Sequence, residues 1–124
     1  MTPLNPASSP TSAPPVLPGH TVKSDQTFES AADLFRVMSA PARLKIINCL
    51  CAGEKNVTDL LAQVNTTQPN MSQHLNTLYH AGILGKRRDG VHIYYRIVDQ
   101  RIVSLCEAVC QEVARKAEAE PGVL

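Results

Sequence analysis

The sequence predicts a mostly α-helical domain with one β-hairpin, in the order α-α-α-α-β-β-α. Apolar residues recur at steps of three and four in four stretches between residues 27 and 80. An Asp-Gly pair at 89–90 separates a short strand pattern from an alternating one, and a fifth helical pattern follows residue 99. These patterns indicate one domain over residues 27–119.

The segments on either side of this domain are predicted to be unstructured. Residues 1–26 are rich in Pro, Ser and Thr and form a disordered tail, and residues 120–124 form a flexible C-terminus. No apolar run is long enough for a signal peptide or a membrane span, so we expect a cytoplasmic chain without a membrane partner. The four cysteines are then expected to be reduced thiols rather than a disulfide framework.

Two helices open the predicted domain. The first begins at Thr27, and its apolar stripe is Phe28, Ala31 or Ala32, Phe35 and Met38. Pro41 suits the first turn of the second helix and Gly53 suits its end. The stripe of this second helix is Leu44, Ile47, Leu50 and Cys51.

The next two helices form a helix-turn-helix. Asn56 is a candidate N-cap of the third, whose buried side is Val57, Leu60, Leu61 and Val64. The fourth helix lies between a cap at Thr66 or Thr67 and a stop at Gly82, and its stripe is Met71, Leu75 and Leu78. Two short helices joined by a few residues, the second with a polar outer face, are typical of this motif.

A β-hairpin and a long helix complete the domain. The pair Asp89-Gly90 predicts a two-residue turn between strands Leu84–Arg88 and Val91–Val98. In the second strand one face carries Ile93, Tyr95 and Ile97, and the other carries His92, Tyr94 and Arg96. A hairpin after a helix-turn-helix makes a winged helix, and we call the hairpin the wing.

The last helix predicts a homodimer. Asp99 can cap it, Pro121-Gly122 ends it, and its apolar line is Ile102, Cys106, Val109 and Val113, flanked by Leu105 and Cys110. That surface is larger than a small domain needs at its edge. We therefore expect two copies of the chain to pair through the first and last helices.

The fourth helix and the wing suit double-stranded DNA. No Asp or Glu occurs from Leu60 to Arg88, amide side chains fit adenine edges, and cations fit phosphates. The predicted DNA-binding residues are Gln68, Asn70, Ser72, Gln73, His74, Asn76, Thr77, Lys86, Arg87 and Arg88. The alternatives are a merely solvated helix face, a strand edge protected by charge, and a structural role for His74.

The chain resembles the ArsR/SmtB family of bacterial winged-helix repressors. The matching stretches are Ser39–Leu44, Gln68–Leu75, Ala81–Leu84, Arg88–Gly90 and Tyr94–Arg96. The resemblance covers residues 31–114 and implies a homodimeric repressor that holds an inverted-repeat operator until a metal ion or a thiol-reactive species releases it.

The metal sites of that family do not carry over. Its cysteine box reads Asn56-Val57-Thr58-Asp59-Leu60 here, so both thiols are missing. Its zinc pattern on the last helix retains Asp99 and Glu112, but Arg101 and Arg115 replace imidazoles. No cofactor is therefore required.

The sulfide- and persulfide-sensing branch of the family offers a closer match. Asn48 and Ala114 stand where that branch has its thiols, while Cys51 and Cys110 lie about one turn away, in opposite senses. If the two helices run antiparallel, Cys51 could face Cys110.

The thiols carry the hypothesis of inducer sensing. The candidates are Cys51, Cys110, Cys106 and Cys49, with a persulfide or disulfide as the modification. Cys106 and Cys110 share a helix face and could instead bind a soft ion such as arsenite, cadmium or zinc. Purely structural cysteines remain an alternative, as do a redox or metal-buffering protein and an interaction module that binds no DNA.

Overall fold

The computed structural model describes residues 14, 15 and 17–119, and in that part the chain has five helices and a three-stranded sheet. The elements are α1 (Asp25–Met38), α2 (Pro41–Leu50), β1 (Lys55–Asn56), α3 (Val57–Gln63), α4 (Gln68–His80), β2 (Leu84–Asp89), β3 (His92–Ile97) and α5 (Gln100–Ala119). This order confirms the predicted winged helix-turn-helix and adds β1. Most of the predicted tail, residues 120–124 and the stop at Pro121-Gly122 lie outside the described residues.

Side-chain caps fix where the helices begin. The Asn56 Oδ1 accepts a hydrogen bond of 2.8 Å from the Asp59 backbone N–H, and Asp59 Oδ2 accepts one of 3.3 Å in return. The predicted caps Thr67 and Asp99 likewise accept bonds from backbone N–H groups of α4 and α5. Ser24 caps α1, which therefore begins two residues before the predicted start.

The core lies between the helix-turn-helix and the sheet. Its fully enclosed side chains are Ile46, Leu60, Val64, Met71, Leu75, Leu78, Ile83 and Leu84. The predicted stripes of α3 and α4 are thus confirmed, whereas that of α2 needs correction. Ile46 is buried and Cys51 is exposed, because α2 ends at Leu50 and packs between neighbours on two sides.

The outer helices leave apolar side chains uncovered. Phe28 and Phe35 of α1 are 59% and 61% exposed, and Val109 and Val113 of α5 are 54% and 59% exposed. The predicted stripe of α1 therefore joins the core of this chain only at its last residue, Met38. None of the helices in the described part of the chain has the length and apolarity that crossing a membrane requires.

The wing follows α4 through a Schellman turn. Gly82 has φ +82°, its N–H bonds to the Tyr79 carbonyl, and the Ile83 N–H bonds to the Leu78 carbonyl. Two residues at the far end then reverse the chain, but they are Gly90 and Val91, because Asp89 pairs with His92.

The predicted turn was therefore wrong by one residue. Gly90 has φ +66° and Val91 does not have a positive φ, which is the φ pattern of a type II′ turn. An Asp-Gly turn of type I′ would need positive φ at both central residues. The faces of β3 keep their predicted alternation, with Tyr95 buried and Arg96 exposed.

Candidate nucleic-acid interface and thiol cavity

The outer face of α4, which we call the recognition helix, is polar and open. Met71, Leu75 and Leu78 turn inward with no exposed surface, so the residues opposite them turn outward. Gln68, Asn70, Ser72, Gln73 and Asn76 are exposed, and Thr77 is partly buried. The structure thus brings most of the predicted base-reading side chains to one accessible surface.

Two grooves border the recognition helix. A wide, open one of about 860 Å³ separates it from α1, with Gln73 and Asn76 on one wall and Leu34 and Val37 on the other. A smaller one of about 270 Å³ lies between Gln68 of the recognition helix and residues 91–93 of the wing. Ser72 lines both. The outer face of the recognition helix therefore stays open on both sides, while its inner face packs in the core.

His74 is the exception among the predicted DNA contacts. It is partly buried, and its Nδ1 lies 3.1 Å from Nη1 of Arg43 on α2. A guanidinium can only donate, so the imidazole accepts this bond in its neutral form. Burial, together with the neighbouring Arg43 charge, lowers the pKa of His74 below its ordinary value. The side chain of His74 is directed toward α2, which fits the structural role that the sequence offered as the alternative to a DNA contact.

The three cations of the wing have different surroundings. Lys86 Nζ lies 4.4 Å from the centre of the Tyr79 ring, so its ammonium group sits over an aromatic ring at the end of the recognition helix. The side chain of Arg88 makes no hydrogen bond or ion pair with any residue the structure describes, and it is exposed. Arg88 is therefore available to a phosphate without breaking an existing contact.

Arg87 is already paired. Its Nη2 lies 2.7 Å from Oε1 of Glu54, its Nε lies 2.9 Å from Oε2, and its guanidinium stacks 4.7 Å from the Tyr94 ring centre. The hydrogen bond from Arg87 lowers the pKa of Glu54, and the same bond raises the pKa of Arg87. Sequence reasoning missed Glu54, since no local pattern relates it to a strand 33 positions away.

Three of the four cysteines meet at one cavity. Cys51, Cys106 and Cys110 line a space of about 260 Å³ between α2 and α5, which we call the thiol cavity. Asn48 and Ala114 line it too, and these are the positions where the sulfide-sensing pattern has its thiols. Cys51 and Cys110, which the sequence predicts to face each other if the two helices run antiparallel, thus line the same cavity.

Cys49 lies apart from the thiol cavity. It does not line that space, and it packs instead against the core. Cys49 and Cys51 are two positions apart on one helix turn, which directs their side chains to opposite sides. Cys106 also packs against the core, but it lines the thiol cavity as well, whereas Cys49 does not.

The surroundings of Cys51 and Cys106 favour the protonated form of each thiol. Cys51 is exposed as a whole residue, but partial burial of its thiol raises the pKa, and the nearby Glu107 carboxylate raises it further. Burial also raises the pKa of Cys106, with smaller contributions from Cys110 and Cys51. Since a thiolate is the reactive form, these raised pKa values slow the reactions of both thiols at neutral pH.

The metal sites known from the ArsR/SmtB resemblance do not fit the residues present. The Asn56 amide is used as a helix cap, and Arg115 pairs with Glu112. Within the described residues, no three His, Cys, Asp or Glu side chains are close enough to surround an ion. No step is therefore assigned to a resident metal.

Comparison with known proteins identifies the family. Residues 40–86 match the family described as bacterial regulatory protein, arsR family. The chain is 34% identical over 85 residues to an uncharacterized HTH-type transcriptional regulator of Methanocaldococcus jannaschii, covering 68% of this chain and 96% of the relative. The chain belongs to the ArsR family.

Two further similarities place this ArsR-family chain among repressors. It is 35% identical over 92 residues to the biofilm growth-associated repressor of Xylella fastidiosa, covering 73% of this chain and 81% of that protein. The crystal structure of the antimony-specific transcriptional repressor AntR superposes with a TM-score of 0.72 at 26% identity, covering 97% of this chain and 100% of that one. The chain is thus a DNA-binding transcriptional regulator rather than an enzyme.

Proposed function

We propose that the protein is a homodimeric repressor that binds an inverted-repeat operator in double-stranded DNA. Its inducer is a reactive sulfur species or an oxidant that reacts at the thiol cavity. The exposed amide face of the recognition helix beside a cationic wing is the observation that carries the DNA-binding part. Asn and Gln pair with adenine edges in the major groove, and Arg and Lys hold phosphates.

The proposed DNA contacts divide by role. Bases are read from the exposed face by Gln68, Asn70, Gln73, Asn76 and Thr77, and phosphates are held by Ser72, Lys86 and Arg88. Arg87 contributes only when Glu54 releases it, because a paired guanidinium must break two hydrogen bonds first. His74 is assigned to the Arg43 contact instead of DNA.

The exposed apolar faces of α1 and α5 support the dimer. Burying Phe28, Phe35, Val109 and Val113 against a second copy removes apolar surface from water, which is the main driving force of association. A two-fold dimer carries two recognition helices, and it matches an inverted repeat when they enter successive major grooves roughly 34 Å apart.

The thiol cavity supports release through oxidation. Cys51 directly follows α2 and Cys110 belongs to α5, so a bond between them ties the core of one domain to its dimer helix. With hydrogen peroxide, both thiols lose their hydrogens, one S–S bond forms and two waters leave. Because α5 also pairs the two copies, the new bond favours a dimer whose helix spacing no longer fits the operator.

A second candidate inducer is a thiophilic metalloid or metal ion. Cys106 and Cys110 stand four positions apart on one face of α5, and Cys51 lies across the same cavity. Soft ions such as arsenite, antimonite and cadmium prefer thiolates. The structural similarity to an antimony-specific repressor favours this candidate. It needs the helices to move closer together, since the described thiols do not surround an ion as they stand.

Mass spectrometry and gel retardation on the same samples test the inducer. Reduced protein is treated with peroxide or inorganic polysulfide, or titrated with arsenite, and then mixed with the DNA upstream of its coding sequence. A Cys51–Cys110 linkage that appears together with DNA release supports redox sensing, whereas one bound arsenite per chain with release supports the metalloid. Cys49→Ser is the matched control and should respond like the wild type. If the treated Cys51→Ser and Cys110→Ser variants still release the DNA, both the redox inducer and the metalloid inducer are contradicted.

A further inference from the structure

The side chain of Arg43 joins three helices. Its Nε donates a hydrogen bond of 2.5 Å to the Val37 carbonyl in the last turn of α1, and its Nη1 donates one of 3.1 Å to His74 Nδ1 on the recognition helix. Arg43 itself belongs to the first turn of α2. No hydrogen bond links α1 directly to the recognition helix within the described residues.

The Val37 carbonyl needs such a donor. In a continuing helix it would accept from the N–H of residue 41, but residue 41 is Pro41 and has no N–H. The charged guanidinium supplies the missing bond at the negative end of the helix dipole. The interruption of the helix at Pro41, which separates α1 from α2, thus leaves the Val37 carbonyl free to anchor Arg43.

The recognition helix has little else to hold it against α1. The open groove of about 860 Å³ runs between them, so the side chains of the two helices line opposite walls of this groove. His74 lies on the flank of the recognition helix that turns toward α2, away from Gln73 and Asn76. The Arg43 bridge therefore acts on the position of this helix without touching its base-reading face.

We propose that Arg43 is a positioning residue for DNA reading, which links the recognition helix to α1 through neutral His74 and thereby sets the spacing of the two recognition helices in the dimer. The inference rests on the proposed homodimeric DNA-binding function, in which α1 belongs to the dimer interface. Arg43 does not contact DNA in this arrangement. It transmits the geometry of the interface to the helix that reads the bases.

The test compares variants on DNA selected from a random duplex library by the wild-type protein. Operators are then made with the half-site spacing lengthened or shortened by one and two base pairs. We expect Arg43→Ala, which removes both hydrogen bonds of the bridge, to weaken binding to the selected operator about tenfold. We also expect it to flatten the preference among spacings. Lys45→Ala removes an exposed cation from the same helix and should keep the spacing preference.

His74 variants separate positioning from folding. Asn can place its carboxamide oxygen near the Nδ1 position, so His74→Asn should restore most of the affinity and the spacing preference, whereas His74→Leu should behave like Arg43→Ala. Thermal unfolding is measured for each variant, and His74→Leu decides if Arg43→Ala does not fold. Wild-type affinity and spacing preference in His74→Leu would overturn the inference. Failure of the wild type to select any sequence would instead overturn the proposed DNA-binding function.

Discussion

Arg87 of the wing binds both carboxylate oxygens of Glu54, a residue of the loop between α2 and β1. The pair brings a second acid next to the cations of the wing, since Asp89 already lies 3.8 Å from the same guanidinium. The three consecutive cations of the wing therefore differ. Lys86 lies over an aromatic ring, Arg87 is neutralised by Glu54, and Arg88 is available to a phosphate. The wing therefore presents less positive charge to a phosphate than its sequence indicates.

The first prediction concerns the salt dependence of DNA binding. Replacing Arg88 with Ala should reduce the slope of log affinity against log salt by about one unit, the loss of one phosphate contact. Arg87→Ala should change the slope less, because that cation is already neutralised by Glu54. Fluorescence anisotropy at several salt concentrations measures both. Equal losses in the two variants would mean that Arg87 leaves Glu54 when DNA binds.

Glu54→Gln gives the second prediction, with the opposite sign. Removing the carboxylate leaves Arg87 with only the longer ion pair of 3.8 Å to Asp89 and deletes one negative charge beside the wing. DNA binding should therefore tighten, and its salt slope should steepen by up to about one unit. Asp59→Gln is unsuitable as a control, because Asp59 caps α3. Glu112→Gln on α5 removes a distant acid and should leave affinity unchanged. Weaker binding by Glu54→Gln would show that the pair serves to orient the wing.

The third prediction concerns the reactivity of Cys51. Glu107 raises the pKa of this thiol, so Glu107→Gln should lower that pKa and speed alkylation of Cys51 at neutral pH. Peptide mapping after timed treatment with iodoacetamide measures the rate at each cysteine. Glu112→Gln lies on the same helix outside the thiol cavity and is the matched control. Identical Cys51 rates in the two variants would count against an electrostatic role for Glu107.

The fourth prediction is a dependence of stability on pH. The pKa of His74 is lowered in the folded chain, so the folded state binds fewer protons than the unfolded state below the ordinary histidine pKa of about 6.5. The contribution of His74 to the free energy of unfolding should therefore be fully present above that pH. It should fall as the pH drops toward the pKa of His74 in the folded chain. Urea unfolding from pH 7.5 to 5 measures this. His74→Asn should remove that part of the pH dependence, and an unchanged profile in the variant would contradict the assignment.

The fifth prediction concerns the dimer. Phe35→Glu or Val109→Glu places a charge on an apolar face of α1 or α5 and should give a monomer that binds the operator weakly. Leu17→Glu is the control, since Leu17 is 79% exposed and lies outside both helices. Light scattering coupled to size exclusion gives the mass. A dimer that survives both substitutions would place the interface elsewhere.

Features set by neighbouring residues were predictable from the sequence. The caps Asn56, Thr67 and Asp99 depend on backbone groups two or three residues away, and the apolar stripe of α4 follows from helical spacing. The hairpin was predicted, but its turn was placed one residue early because Asp-Gly and Gly-Val both allow a tight reversal.

Features set by tertiary contacts could not be predicted. β1 has two residues, too few for any periodicity, and it exists because it pairs with Tyr94 and Tyr95. Burial of Ile46 reflects packing on two sides of α2, which a single stripe does not describe. The partners Glu54–Arg87 and Arg43–His74 lie 33 and 31 positions apart, and only the fold brings them together.

The most direct test of the repressor function is a DNase I footprint of the reduced wild-type protein on the DNA upstream of its coding sequence. We expect two protected half-sites of an inverted repeat, with centres about one helical turn apart, and their loss after the inducer reacts with the thiol cavity. Uniform DNase I cleavage at protein concentrations at which the chain is fully dimeric would contradict sequence-specific binding at that operator.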